Sequence, residues 1–189
     1  MQDLLRRLGY TQKWIDYGFL DRKALEEQIL EFESGHDPNT EHYRFRRFLS
    51  VLQSRASLTS QEIDQYVELA LEDPDQTMGR SALVELIRWP GLREPEQERL
   101  ASHAAFQEAL LRRALTRARL IRILETSDLT ADDCDLCMRQ GDSVVQRLLL
   151  EKARLSRDQL EYLKDHGSSR AVRNMAASRL RRRSGSAGG

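Results

Sequence analysis

Several features that would restrict this chain of 189 residues to a special class are scarce or missing. It holds only two cysteines and four prolines, and no apolar run approaches the roughly twenty residues that a membrane-spanning helix needs. The N-terminus lacks the charged and then apolar layout of a secretory signal. Because a disulfide framework is missing too, the sequence predicts a cytoplasmic protein without membrane association.

The alternation of apolar and polar residues that is typical of strands is also missing. Apolar residues recur instead at spacings of three and four, as in Phe45, Phe48, Leu49 and Leu52. A hydrophobic content of 40% beside a charged content of 32% is typical of a folded, highly charged domain. The sequence therefore predicts an all-α protein.

Three predicted helices begin with the same signature, in which a leucine precedes a threonine or serine N-cap. The signature occurs at residues 58–63, 129–134 and 155–160. In each copy, an acidic or amide residue three positions after the cap can bond back to it, and the leucine can pack on the first helical turn. We expect a capping box at each of these starts.

The last two copies align at an offset of 26 residues, which places Gly141 on Gly167 and Ser143 on Ser169. Each copy reads as a helix pair, and the glycines suit the left-handed conformation that closes many helices. The predicted helices lie near 130–140, 142–152, 156–166 and 168–182. An earlier, looser copy has its second helix near 76–89. Glu94-Pro95 then starts another helix, and a break is expected near Thr116.

Helix pairs at a short period resemble HEAT-like and leucine-rich-repeat-variant α-solenoids over about residues 58–183. The segment Asp73-Pro74-Asp75, which precedes a helix with Ala82-Leu83, is similar to a turn of those repeats. The resemblance implies stacked helix pairs that bind a protein or peptide along one face. A compact irregular bundle is the alternative architecture.

Residues 1–56 differ from the rest because they hold eight of the twelve aromatic residues. We interpret them as an aromatic-rich helical cap, with Thr11 and Asp21 as N-caps, that covers a repeat body over 57–183. The Ser/Gly-rich residues 184–189 are expected to form a flexible tail.

Cys134 and Cys137 form a C-x-x-C pattern, which redox and metal sites use. The repeat alignment places them on Leu160 and Leu163, at core positions of the next copy. No second cysteine or histidine pair completes four zinc ligands. We therefore predict two core thiols and neither a metal nor another cofactor.

The densest group of polar functional side chains lies in a loop and in the start of the next helix, for which Thr40 is the expected N-cap. Loop residues of these types often serve recognition, so the group is a candidate ligand-binding or enzymatic site. No reaction class is indicated. Its members are His36, Asp37, Glu41, His42 and Arg44.

Charge is unevenly distributed although the formal net charge is zero. Residues 1–100 carry 13 basic and 19 acidic side chains, whereas residues 101–189 carry 17 and 11. Arginine outnumbers lysine 26 to 4 and clusters in the second half, and guanidinium groups bind both carboxylates and phosphates. The candidate binding residues there are Arg112, Arg119, Arg122, Arg170 and Arg173.

Three functions compete at this point. We favour a non-enzymatic interaction or scaffold protein that binds a protein or peptide partner through a repeat surface. Nucleic-acid binding through the basic C-terminal half is the first alternative, although no aromatic residues are interleaved with the arginines to stack on bases. An enzyme or ligand-binding protein that uses residues 36–44 is the second.

Overall fold

The structure, a computed structural model, describes residues 1–126 and 128–186, with side chains through Arg182. Within these residues it has twelve α-helices, one 3₁₀-helix and no strand, so the all-α prediction is confirmed. The chain divides into two compact units, Met1–Leu111 and Arg112–Gly189. The predicted boundary between residues 56 and 57 lies inside the first unit.

The helices follow one another with short connections. The first unit holds α1 (Gln2–Arg7), α2 (Lys13–Asp16), α3 (Arg22–Glu33), α4 (Thr40–Gln53), α5 (Ser60–Leu71), α6 (Gln76–Arg88), α7 (Glu94–Ser102), the 3₁₀-helix (Ala104–Gln107) and the start of α8 (Ala109–Glu125). The second unit holds the rest of α8, then α9 (Ala131–Gln140), α10 (Ser143–Lys152), α11 (Arg157–His166) and α12 (Arg170–Ser186). The predicted tail therefore begins within α12, and the side chain of Arg183 and residues 187–189 lie outside the described part.

All three predicted capping boxes are confirmed. Thr59, Thr130 and Ser156 each accept a hydrogen bond from the backbone amide three residues later, and the side chain of that residue bonds back to the cap amide. Each box satisfies two backbone groups that the first helical turn leaves without a partner. The signature thus starts α5, α9 and α11.

Other helix ends differ from the prediction. Asp21 caps α3 as expected, whereas α2 begins at Lys13 and Thr11 makes no side-chain cap. The expected break near Thr116 is wrong, because α8 continues through it and the Thr116 hydroxyl donates to the carbonyl of Arg112, 3.0 Å away. Asn39, rather than Thr40, is the N-cap of α4.

In the second unit, α9 packs on α10 and α11 on α12, and like helices also meet, α9 with α11 and α10 with α12. A single core cluster joins them, with Cys137, Leu149, Leu163 and Val172 among its fully buried members. The two helix pairs therefore share one apolar core.

The expected left-handed conformation of Gly141 and Gly167 is wrong, since their φ angles are −73° and −55° and both have extended ψ. Glycine is required at both positions because there is no room for a Cβ atom. A Cβ on Gly141 would lie 2.3 Å from the carbonyl oxygen of Cys137, and one on Gly167 would lie 2.5 Å from that of Leu163. Each glycine lets the chain turn closely against the end of the helix it follows.

The offset of 26 residues holds for the first helices but not for the second. Val145, three residues after the Asp142 cap of α10, is fully buried, and its counterpart is Val172, three residues after Ser169. Ala171, which the uniform offset predicts at this position, is exposed. Ser168 is the extra residue, and its amide donates to the side chain of Gln146. The second helices are therefore offset by 27 residues.

The aromatic residues of the first 56 positions pack within the first unit. Trp14 lies edge-on to Phe48, with ring centroids 4.6 Å apart, and Phe48 lies 4.9 Å from Tyr66 of α5. Phe19 also contacts Tyr66. The aromatic segment and α5 therefore share a core.

A buried ion pair lies beside this core. The Arg44 guanidinium donates to both oxygens of Asp73, at 2.9 and 3.0 Å, and to the carbonyl of Leu8 at 2.7 Å. Arg44 is 3% exposed and Asp73 6% exposed. Asp73 also accepts the amide of Asp75, the N-cap of α6. The pair thus connects the end of α1, helix α4 and the turn between α5 and α6.

Replacement of Asp73 by alanine is expected to destabilise the protein by about 3–5 kcal/mol, because it leaves the Arg44 charge buried without its partner. Urea unfolding followed by circular dichroism measures the change. Glu26→Ala, which removes the exposed pair with Arg22, is the control and is expected to cost at most about 1 kcal/mol. Equal costs for the two variants would contradict the role of the buried pair.

Candidate interaction surface

The polar group around residue 40 divides into two separate pairs. The ring of His42 contacts Asp37, with Nδ1 and Oδ2 2.8 Å apart, whereas the ring of His36 contacts the hydroxyl of Ser34 at 2.6 Å. Both histidines are exposed. Across the described residues, no three His, Cys, Asp or Glu side chains lie close enough to hold a metal ion.

Asp37 is held as a carboxylate. The backbone amide of Asn39, at 3.0 Å, and the His42 ring lower the pKa of the Asp37 carboxyl below its ordinary value. The Tyr43 hydroxyl donates to the backbone carbonyl of Asp37. These contacts order the loop ahead of α4. Glu41, in the first turn of that helix, is half-buried.

Arg44 does not join this group, contrary to the expectation that it belongs with the loop residues. The helix turns its side chain inward to the carboxylate of Asp73, so its guanidinium is buried. No nearby residue signals this burial, because the partner is 29 positions away in the sequence. Arg44 therefore serves the fold of the first unit.

The interpretation of the cysteines as core residues is confirmed. Cys134 and Cys137 are free and buried in the cluster that joins the two helix pairs. Burial raises the pKa of both thiols, that of Cys137 to about 11. A thiol with a raised pKa is a poor nucleophile at neutral pH.

Most arginines of the first unit are bound by its own carboxylates. Nine of its eleven arginines form ion pairs, and a tenth, Arg47, donates to the carbonyl of Phe19. The partners often come from distant positions, as Glu108 does for Arg80. The pairs are Arg7–Glu33, Arg22–Glu26, Arg44–Asp73, Arg46–Glu31, Arg55–Glu62, Arg80–Glu108, Arg88–Glu85, Arg93–Glu96 and Arg99–Asp64.

The second unit differs. Arg117 pairs with Asp142 and Arg157 with Glu161. Nine other arginines are exposed and have no ion-pair or hydrogen-bond partner among the described residues, and we refer to them as the unpaired arginines. They are Arg112, Arg113, Arg119, Arg139, Arg147, Arg154, Arg170, Arg181 and Arg182.

Among the predicted binding residues, Arg112, Arg119 and Arg170 belong to this set. Arg173 is exposed too, but it donates to the carbonyl of Gly167 at 2.7 Å, and Arg122 is half-buried. The other six unpaired arginines are not among the predicted binding residues: Arg113, Arg139, Arg147, Arg154, Arg181 and Arg182. The neighbouring sequence does not predict whether an arginine is paired, since Arg147 stays unpaired although Glu151 lies four residues later.

Charge composition explains the contrast between the units. Residues 1–111 have 13 basic and 20 acidic side chains, so arginines there find carboxylates, whereas residues 112–189 have 17 and 10. Within the second group, α8, α10 and α12 carry 13 basic and 2 acidic residues, and α9 and α11 carry 3 and 6. Positive charge is therefore concentrated on α8 and on the second helix of each pair.

Comparison with known proteins finds no match to a protein-family model, a curated protein or a solved structure. Among the described residues, no helix is long and apolar enough to span a membrane.

Native protein is expected to show almost no reaction with Ellman's reagent at about pH 8, because both thiols are buried and protonated. After unfolding in guanidinium chloride, both cysteines should react. Rapid modification of either thiol in the folded protein would contradict the core assignment.

Asp37 is expected to titrate below the ordinary aspartate range in a carbon-detected NMR titration. Because its pKa is lowered in the folded state, it stabilises the fold above the ordinary pKa, and this contribution is lost as the pH falls through the lowered value. His42→Ala should raise the pKa of Asp37 only part of the way, since the larger effect, the Asn39 amide, remains. A full return of the Asp37 pKa to its ordinary value would show that the hydrogen bond from the Asn39 amide does not lower it.

Proposed function

We propose that this protein is a non-enzymatic interaction protein that binds an acidic segment of a partner protein through the unpaired arginines of its second unit. The observation that carries the proposal is the contrast in arginine pairing. Nine of the eleven arginines in the first unit are bound by carboxylates of the same chain, whereas nine of the fifteen in the second are exposed without one. A partner that supplies carboxylates would form the charge-assisted bonds that the chain itself lacks.

The packing of the helix pairs supports this function. First helices pack on first helices and second on second in the second unit, as in a stack of repeats. Lys152 of α10 reaches the carbonyl of Leu124 in α8, and Arg179 of α12 reaches those of Leu150 and Ala153. This recurring contact at the helix ends favours an α-solenoid, the HEAT-like arrangement that the sequence pattern resembles. Such a stack offers an extended surface to a partner.

Mixed charge favours a protein over a nucleic acid as the partner. Exposed carboxylates such as Asp132 on α9 and Asp158 on α11 lie in the same unit as the arginines. They would repel a phosphate backbone, while a protein segment can place its own basic or neutral residues opposite them. Nucleic acid stays the second candidate, because guanidinium groups also bind phosphates.

Fluorescence anisotropy with a labelled short polyglutamate peptide tests the proposal on the full chain. We expect binding at about 50 mM salt that weakens strongly at about 200 mM, since exposed charges are screened. An uncharged glycine–serine peptide of equal length is the control and should not bind, because it offers no carboxylates to the arginines. Failure of polyglutamate to bind at low salt would overturn the proposal, and much tighter binding of duplex DNA would replace it with the nucleic-acid alternative.

A further inference from the structure

Two of the unpaired arginines line a cleft of about 540 Å³ in the second unit. Four of its lining residues come from α8, at positions 112, 113, 116 and 117. Residues four apart lie on one face of a helix, so these side chains share a face. The opposite wall is formed by Gln140, the last residue of α9, and Asp142, the N-cap of α10.

The negative charge in this cleft is already satisfied. Asp142 accepts the amides of Val144 and Val145 with one oxygen, at 2.9 and 3.2 Å, and the Arg117 guanidinium with the other. Arg117 and Asp142 therefore cancel each other's charge. The same contacts fix the wall of the cleft, because they join α8 to the start of α10.

The remaining donors of the cleft are unused. Arg112 and Arg113 are exposed without a partner, so the cleft keeps a net charge of +2, and the side-chain amide of Gln140 has no hydrogen-bond partner among the described residues. Thr116 donates its hydroxyl proton to the carbonyl of Arg112. Two guanidinium groups and a carboxamide thus offer N–H donors to a ligand.

We propose that this cleft is the anchoring site for the acidic segment, in which Arg112 and Arg113 bind neighbouring carboxylates and Gln140 donates to one of them. The inference rests on the proposed function and assigns the binding of the acidic segment to one cleft. The planar guanidinium matches a carboxylate through two parallel bonds, and two carboxylates balance the charge of the cleft. The other unpaired arginines then contribute longer-range attraction.

Removal of the two charges tests the site. Arg112→Gln/Arg113→Gln is expected to weaken polyglutamate binding about tenfold or more, because it removes charge-assisted hydrogen bonds. The matched control is Arg181→Gln/Arg182→Gln, an exposed adjacent pair in α12 with the same charge change and outside the cleft. The control is expected to weaken binding at most about threefold, through screened attraction alone. Equal losses in the two variants would overturn the anchoring site.

A gain of affinity provides a second test that misfolding cannot imitate. Asp142→Asn keeps an oxygen to cap α10 but removes the charge that neutralises Arg117, so the cleft changes from +2 to +3. We expect polyglutamate to bind about threefold or more tightly, as an additional charge-assisted bond permits. Asp132→Asn, an exposed residue outside the cleft, is the matched control. An equal gain from both variants would contradict the site.

The outcomes separate the two proposals. If polyglutamate binds the unaltered protein but the cleft and control variants behave alike, the arginine surface stands and the cleft inference fails. If polyglutamate does not bind at all, the proposed function fails and the cleft inference fails with it. Circular dichroism of each variant establishes that it is folded.

Discussion

The first unit depends on one buried ion pair. Arg44 and Asp73 are almost fully removed from water, and this desolvation is unfavourable unless every donor and acceptor is satisfied. The structure satisfies them with a two-point bond between the side chains, the carbonyl of Leu8 and the amide of Asp75. Gly9, at φ +73°, leaves room for the guanidinium, because a Cβ there would lie 2.5 Å from it. Three separate segments of the chain must therefore come together before the pair is stable.

Arginine has a different role in the second unit. Apolar packing between helix pairs, around Cys137, Leu149 and Leu163, supplies its core, and no buried ion pair occurs among the described residues there. Its arginine ion pairs are exposed rather than buried, and with 17 basic against 10 acidic side chains many arginines have no carboxylate to pair with. Lys152 and Arg179 do have a structural role, because they donate to backbone carbonyls near the ends of neighbouring helices. The nine unpaired arginines are exposed, and we propose that they bind an acidic partner.

Features set by neighbouring residues in the sequence could be predicted, whereas contacts between residues far apart in the sequence could not. The capping boxes at Thr59, Thr130 and Ser156 need only residues within one helical turn. The burial of both cysteines was predictable because the repeat alignment places them at core positions of the next copy. The burial of Arg44 escaped prediction because Asp73 is 29 residues away. The turns at Gly141 and Gly167 were assigned the wrong conformation, since the need for glycine comes from contacts with neighbouring helices. Which arginines stay unpaired depends on the tertiary positions of carboxylates such as Glu108.

We propose that the unpaired arginines of the second unit are available to a partner, whereas the ion-paired arginines of the first unit are not. An NMR titration of the arginine Nε–H groups with polyglutamate tests it most directly, because each side chain reports its own contacts. The claim predicts that the signals of unpaired arginines, Arg112 and Arg113 foremost, shift with the peptide while Arg44 and Arg46 stay unchanged. Equal shifts for arginines of both units, or shifts confined to the first, would contradict it.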